Sequence, residues 1–212
     1  MFSKIAEDDE KMKWVYKKLM QQVLFWNTPV LIFLALIAEP LFHVLLGSKW
    51  LPAVPYFQIL CFAGIMYPLH AYNLNILKVK GRSDLILKLE SVKKGICVLG
   101  ILAAIPFGIY GLLYFQLLFN FVGYYINSFY SGKMIGYSIP EQMADAAPII
   151  GNSALAGVIC YLLDEYGLKP LFLFNLSRIL IDGAFFLIVY LAGSSLFRLA
   201  AIRDFKQLIL KR

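Results

Sequence analysis

The chain has 212 residues, of which 60% are hydrophobic and 16% are charged, and its mean hydropathy is +0.71. Soluble domains are about 45–50% apolar and about 25% charged, so a soluble fold of this length could not cover so much apolar surface. The composition predicts an all-α integral membrane protein whose spans are about 20 residues long. The basic residues behind the net charge of +7 cluster beside apolar runs. They are therefore interpreted as topology signals and contacts for anionic lipid headgroups, not as a nucleic-acid surface.

Residues 1–22 are predicted to form an amphipathic helix at the cytoplasmic interface of the membrane. Apolar residues recur in this segment at helical spacing among lysines. Trp14 and Tyr16 are expected at headgroup depth. The acidic run at residues 7–10 is interpreted as a solvated helix start rather than as a metal site, because acidic side chains favour a helix N-terminus.

The rest of the chain is predicted to contain six membrane spans. Residues 23–130 hold four of them, and residues 131–212 hold the last two and a basic cytoplasmic tail. The predicted spans are residues 23–47, 54–77, 92–109, 112–130, 146–163 and 170–197.

The stretch 73–94 carries six basic residues between two apolar runs and is predicted to be a cytoplasmic loop. Gly81 and Ser83 are expected to form its turn and the N-cap of the next helix. Across the chain, the segments predicted to be cytoplasmic contain seventeen Lys and Arg residues, whereas the outer loops contain two. This asymmetry predicts six helices with both termini in the cytoplasm.

The sequence contains no recognisable catalytic constellation, and the chain is predicted not to be an enzyme. It has no glycine-rich phosphate loop and no nucleophile motif, and its two histidines, His43 and His70, fall on opposite sides of the predicted membrane. The three cysteines stand singly in apolar segments and are expected to pack as small hydrophobes. Neither a metal site nor a cofactor is predicted.

Arg178 and Asp182 are the strongest local signal, because they lie four residues apart inside the sixth predicted span. Charges inside a membrane are expensive and pair with one another or face a wet cavity. The pair is therefore either a structural clamp or part of a passage for substrate or ions. Glu39 is a candidate for protonation or cation coupling, although solvation at the outer interface explains it equally well. Asn73 and Asn75 are expected to form hydrogen bonds between helices.

Three segments together resemble the polysaccharide and O-antigen flippases of the MOP exporter superfamily. The resemblance covers most of the chain and is clearest over residues 2–95. The segments are Phe2-Ser3-Lys4-Ile5 followed by an acidic and Lys/Tyr-rich helix, Leu46-Gly47-Ser48-Lys49-Trp50-Leu51-Pro52-Ala53-Val54-Pro55, and Pro68-Leu69 with Asn73 followed by Lys80-Gly81-Arg82-Ser83-Asp84-Leu85.

The resemblance implies transport of an undecaprenyl-diphosphate-linked oligosaccharide across the bacterial inner membrane. It also implies two lobes of six helices around a cationic cavity, of which this sequence resembles the last six helices. A truncated reading frame or a split gene is therefore expected, with the N-terminal lobe or a partner chain missing. In this interpretation Arg178 and Asp182 lie on the substrate path, and Lys93 and Lys94 lie in an inner vestibule.

Two other classes of function stay open at this point. A non-transporting scaffold for polysaccharide assembly would need only helices and interfacial aromatic residues. A membrane glycosyltransferase or polymerase would need a long outer loop with catalytic residues, and the predicted outer loops are short.

Overall fold

The protein was analysed as a computed structural model, which describes residues 8–171 and 174–203. Seven α-helices and no strands occur among these residues. The helices are α1 (Asp9–Leu36), α2 (Ala38–Leu45), α3 (Val54–Val79), α4 (Ser83–Ala104), α5 (Gly108–Ile135), α6 (Ile139–Leu163) and α7 (Asn175–Leu196). The family-like segment at residues 2–5 and the basic tail after Arg203 lie outside the described residues.

Five segments are long and apolar enough to cross a membrane: Asp9–Leu36, Ser48–Val79, Ser83–Ile135, Ile139–Leu171 and Asn175–Leu196. The all-α membrane fold is therefore confirmed. The third segment has 53 residues, which would extend about 80 Å as one helix at 1.5 Å per residue, against a hydrocarbon core of about 30 Å. This segment contains two helices, α4 and α5, joined by a turn of 3-10 helix at Ile105–Phe107.

The directions of α3, α4 and α5 follow from side-chain contacts. On α5, Asn120 donates to the carbonyl of Ala63 at 2.9 Å, and Asn127, seven residues later, donates to the carbonyl of His70 at 3.1 Å. Because both residue numbers increase together, α3 and α5 run parallel. Across the α4–α5 turn, a Cβ on Gly100 would lie 1.9 Å from the Phe115 ring, so these two helices pack closely on each other. Six helices of at least 22 residues thus occur in the described chain, and six membrane crossings remain a prediction.

The described residues divide into two compact units. The first contains residues 8–23 and 63–145, and the second contains residues 24–62, 146–171 and 174–203. Helices α1, α3 and α6 contribute residues to both units.

Helix boundaries differ from the prediction mainly where charged residues occur. The stretch 73–94 is not a loop, because α3 continues to Val79 and α4 begins at Ser83. Gly81 does form the turn, with φ of 69°, whereas the N-cap residue is Arg82 rather than Ser83. Likewise, the predicted inner loop 131–145 shrinks to residues 136–138 between α5 and α6. Charged side chains at a helix end can reach water without ending the helix.

The first predicted span, residues 23–47, is divided in two. Helix α1 runs without a break from Asp9 to Leu36, so the lead-in and the span form one helix. The backbone then bends at Ile37 before α2. Pro40 explains the bend, since it has no N–H to donate to the carbonyl of Leu36. Gln58 of α3 donates to the neighbouring carbonyl of Ala35 at 2.9 Å, which stabilises the end of α1.

Pro29 lies inside α1 and leaves the carbonyl of Phe25 without its usual helical donor. The buried hydroxyl of Tyr190 on α7 donates to this carbonyl at 2.7 Å. A neighbouring helix thus satisfies the group that the proline frees, as membrane proteins require.

Replacing Tyr190 with phenylalanine is expected to destabilise the protein by about 1 kcal/mol, because the Phe25 carbonyl loses its donor. In the background of Pro29→Ala, which restores the backbone N–H, the same replacement should cost less. Unfolding by SDS titration in mixed micelles measures both free energies. The control is Tyr161→Phe, at a residue that is 53% exposed; equal losses at the two tyrosines would contradict the account.

Candidate functional site

The second unit holds a charged cluster at the ends of α6 and α7, and Arg178 is its centre. Its guanidinium contacts Asp164 through both carboxylate oxygens, with Nε to Oδ1 at 3.0 Å, Nη2 to Oδ1 at 2.8 Å and Nη2 to Oδ2 at 2.7 Å. The side chains of Arg178 and Asp164 are only 13% and 11% exposed. This is the bidentate geometry that makes an arginine–carboxylate pair strong and directional.

The expected pairing of Arg178 with Asp182 is therefore replaced by pairing with Asp164. Asp164 falls between the fifth and sixth predicted spans, but it begins the π-helical turn Asp164–Leu168 that continues α6. Asp182 is 1% exposed, and Cys160 lies beside it, with Sγ 3.5 Å from its backbone carbonyl and 3.8 Å from Oδ1. The carboxylate of Asp182 also interacts electrostatically with both members of the Arg178–Asp164 ion pair.

Glu39 is part of the same charged cluster around Arg178. It is exposed in the first turn of α2, and its carboxylate interacts electrostatically with Arg178 and Lys169. Lys169 forms an ion pair with Glu165. The cluster contains four carboxylates and two cations, so its charge is acidic overall when every group is ionised. Such a cluster suits a cation better than it suits a diphosphate.

Lys93 is the buried cation of the first unit. It lies on α4, is 5% exposed and forms an ion pair with Glu90 one turn earlier. Gly123 of α5 lies next to it, since a Cβ there would be in ordinary van der Waals contact with Lys93 Cδ at 4.0 Å and with His70 Nδ1 at 3.6 Å. Lys94, by contrast, is exposed. The two adjacent lysines predicted for one vestibule therefore occupy different environments.

A buried hydrogen-bond network crosses α3, α5 and α6 in the first unit. Asn73 is fully buried and donates to Ser128 Oγ at 2.8 Å and to Gln142 Oε1 at 3.3 Å, and Tyr124 donates to the same Gln142 oxygen at 3.2 Å. Asn73 thus forms the interhelical bonds that the sequence predicted, whereas Asn75 is exposed. The seven-residue spacing of Asn120 and Asn127 in an apolar run is a sequence signal for the contact between α3 and α5.

The N-terminal half of α1 is fastened to the start of α6. Lys13 pairs with Glu141 at 2.8 Å, and Lys17 pairs with Asp145 at 2.8 Å. Tyr137 also donates to Asp145, at 2.6 Å. Burial raises the pKa of the Tyr137 hydroxyl, and the Asp145 charge acts in the same direction, so the phenol remains a donor.

These contacts correct two expectations for the lead-in. Its lysines were interpreted as contacts for lipid headgroups, but Lys13 and Lys17 bind acidic residues of the protein. Tyr16 was placed at headgroup depth but is 4% exposed, whereas Trp14 is 58% exposed. Of these two residues, Trp14 is the one with the exposure that an interfacial aromatic residue needs.

No group of three or more His, Cys, Asp or Glu side chains in metal-binding geometry occurs among residues 8–171 and 174–203. The three cysteines are free thiols. The site therefore consists of buried charges and polar networks within a helical, multi-pass membrane protein.

Comparison with known proteins places this architecture in a biological context. Residues 1–55 match the profile of a family described as "Polysaccharide biosynthesis protein". The chain is 25% identical over 233 aligned positions, covering 99% of its length, to a membrane protein in the cps region of Klebsiella pneumoniae. It is 29% identical over 92 residues, 43% of its length, to the lipopolysaccharide biosynthesis protein WzxC of Escherichia coli K12. No solved structure matches.

The resemblance predicted from the sequence is therefore confirmed, and the chain is similar to polysaccharide-biosynthesis membrane proteins of the flippase type. It has the helices of a multi-pass membrane protein, and both of these relatives are bacterial. The alignments cover 44% of the Klebsiella protein and 19% of WzxC, so the chain spans less than half the length of these relatives.

Proposed function

We propose that the chain forms one lobe of a transporter that moves an undecaprenyl-diphosphate-linked oligosaccharide across the bacterial inner membrane. The observation that carries this proposal is the similarity, along 99% of the chain, to a membrane protein in a cps region, together with the local similarity to WzxC. The helical membrane fold is compatible with such transport, because the sugar and diphosphate need a polar route while the lipid tail stays in the bilayer.

Among the candidate residues, Lys93 is the best suited to bind the anionic headgroup of the substrate. It is a buried cation beside His70, and only one carboxylate, Glu90, pairs with it in the described chain. A diphosphate could compete with Glu90 for the lysine, since phosphate oxygens are strong acceptors for charged donors. Lys94 is exposed, so it would contact the headgroup only at the outer surface of the packed helices.

Arg178 takes a different role in this proposal. Its guanidinium binds Asp164 through Nε and Nη2, so its main contribution is to fix the ends of α6 and α7 against each other. Asp182 and Glu39 are proposed to serve cation coupling, because the cluster around Arg178 is acidic overall. An ion or proton that enters this cluster would change the electrostatic interaction between the Arg178–Asp164 pair and the buried Asp182 carboxylate.

The proposed transporter needs a second lobe. Transporters built from repeats alternate access by rocking one bundle against the other, and this chain spans 44% of its Klebsiella relative. The other lobe is proposed to come from a further segment of the protein or from a partner chain. The segments predicted to be cytoplasmic contain many more Lys and Arg residues than the predicted outer loops, which supports cytoplasmic termini.

Deletion of the gene in its own bacterium tests the proposal. A transporter defect should abolish surface polysaccharide while the lipid-linked oligosaccharide accumulates in the membrane, and a plasmid copy should reverse both effects. A scaffold for assembly enzymes predicts that surface polysaccharide and lipid-linked precursor fall together. Unchanged levels of both would contradict any role in this pathway.

A further inference from the structure

A narrow cavity lies between α1 and α3 in the first unit, and we call it the α1–α3 crevice. Its volume is about 280 Å³. The walls are mainly apolar and include Met12 and Leu19 of α1 and Ile76 and Val79 of α3. Tyr16 and Lys78 also line it. The remaining lining residues are Tyr72 and Asn75. The crevice is therefore a mainly apolar slot whose polar groups come from two tyrosines, one asparagine and one lysine, which is the chemistry of a site for an amphiphile.

Tyr16 is the first of these polar groups. Its side chain is 4% exposed, and its hydroxyl has no hydrogen-bond partner in the described parts of the chain. The other deeply buried tyrosines, Tyr124, Tyr137 and Tyr190, donate hydrogen bonds at 3.2, 2.6 and 2.7 Å. A buried hydroxyl without a partner is costly, so an acceptor supplied by a ligand in the crevice would stabilise the protein.

Lys78 is the charged group among the residues that line the crevice. It lies in the last turn of α3, is exposed, and has no ion pair within residues 8–171 and 174–203. Its neighbour Lys80 pairs with Asp9. One uncompensated cation thus remains at the crevice. Basic side chains at this position between membrane helices attract anionic lipid headgroups.

We propose that the α1–α3 crevice binds one acyl chain of an anionic phospholipid, with the phosphate near Lys78 and an ester carbonyl accepting from the Tyr16 hydroxyl. A glycerophospholipid supplies all three features: an apolar chain, a carbonyl acceptor and a negative phosphate. A polyprenyl phosphate has no ester carbonyl to satisfy Tyr16, which is why the phospholipid is the assigned occupant. The bound lipid would hold the N-terminal half of α1 against α3. This inference does not depend on the proposed transport function.

Native mass spectrometry of the purified full chain tests the site. The protein is released from detergent after addition of equal amounts of phosphatidylglycerol and phosphatidylethanolamine. The wild type should retain phosphatidylglycerol preferentially. Lys78→Gln should lower bound phosphatidylglycerol about fivefold without changing bound phosphatidylethanolamine, since one lysine near an anionic surface accounts for about that factor. Lys88→Gln, at an exposed lysine of α4, is the matched control and should retain the wild-type preference.

A second variant tests the hydroxyl. Tyr16→Phe should unfold no more easily than the wild type in lipid-free detergent, yet lose most of the added stability that phosphatidylglycerol gives the wild type. Equal retention of the two phospholipids, equal losses in Lys78→Gln and Lys88→Gln, or full stabilisation of Tyr16→Phe by phosphatidylglycerol would overturn the proposal. Displacement of phosphatidylglycerol by an equal amount of undecaprenyl phosphate would assign the crevice to the lipid carrier and would overturn it too.

Discussion

Replacement of Arg178 with methionine is expected to lower the free energy of unfolding by about 3–5 kcal/mol, the range for breaking a buried ion pair by removing one partner. The loss follows from leaving the Asp164 carboxylate buried without its two guanidinium donors. Arg178→Lys should recover only part of it, because an ammonium group cannot reproduce the bidentate geometry. Unfolding by SDS titration in mixed micelles measures the difference.

A double variant distinguishes the stability lost by leaving a charge unpaired from the stability lost with the packing of the Arg178 side chain. Arg178→Met combined with Asp164→Asn should recover most of the lost stability, since no uncompensated charge then remains buried. Arg198→Met, at an exposed arginine after α7, is the control and should change the free energy by less than about 0.5 kcal/mol. If Arg178→Met behaves like Arg198→Met, the ion pair contributes nothing to the fold.

Gly132→Ala is expected to destabilise the protein by about 1–3 kcal/mol, because a Cβ on this residue would lie 2.5 Å from the backbone oxygen of Tyr137. The backbone N–H of Tyr137 donates to the Gly132 carbonyl at 2.9 Å, so the turn between α5 and α6 cannot move away without losing this bond. Gly136 closes the turn in the left-handed conformation, with φ of 63°.

Gly95→Ala provides the matched control for Gly132→Ala. Gly95 also lies in a helix, but no atom lies within 4 Å of the position its Cβ would take. Its replacement should leave stability unchanged or raise it by about 0.5–1 kcal/mol, because alanine loses less backbone entropy than glycine in a helix. Equal effects at the two positions in thermal unfolding would show that helix propensity, not the close approach to Tyr137, governs Gly132.

Apolar run length was sufficient to predict an all-α membrane fold, and most predicted spans overlap a long helix. Helix ends were less predictable. The lysines around Gly81 suggested a long loop, but only three residues separate α3 from α4, since the charged side chains extend from helices that continue. The two prolines of the first predicted span behave differently: a bend occurs at Ile37, just before Pro40, whereas α1 continues through Pro29, whose freed carbonyl accepts a hydrogen bond from Tyr190.

The sequence did not reveal how the candidate residues pair. Arg178 and Asp182 both lie on α7, where Asp182 is buried and Arg178 is half-buried, and Lys93 is buried on α4. The partner of Arg178 was missed because Asp164 looked like a loop residue, and fourteen residues separate the two in sequence. Side-chain partners across helices depend on helix rotation and on the π-helical turn after α6, which hydropathy does not encode.

The leaflet distribution of the lipid-linked oligosaccharide tests the central claim most directly. Right-side-out vesicles from the deletion strain and from the complemented strain are treated with a membrane-impermeant glycosidase that cleaves exposed oligosaccharide. The account predicts that the oligosaccharide is largely protected in vesicles lacking the protein and becomes accessible when the wild-type gene is restored. An accessible fraction that is the same in both kinds of vesicle, with only the total amount changed, would contradict the assignment of this chain to a flippase.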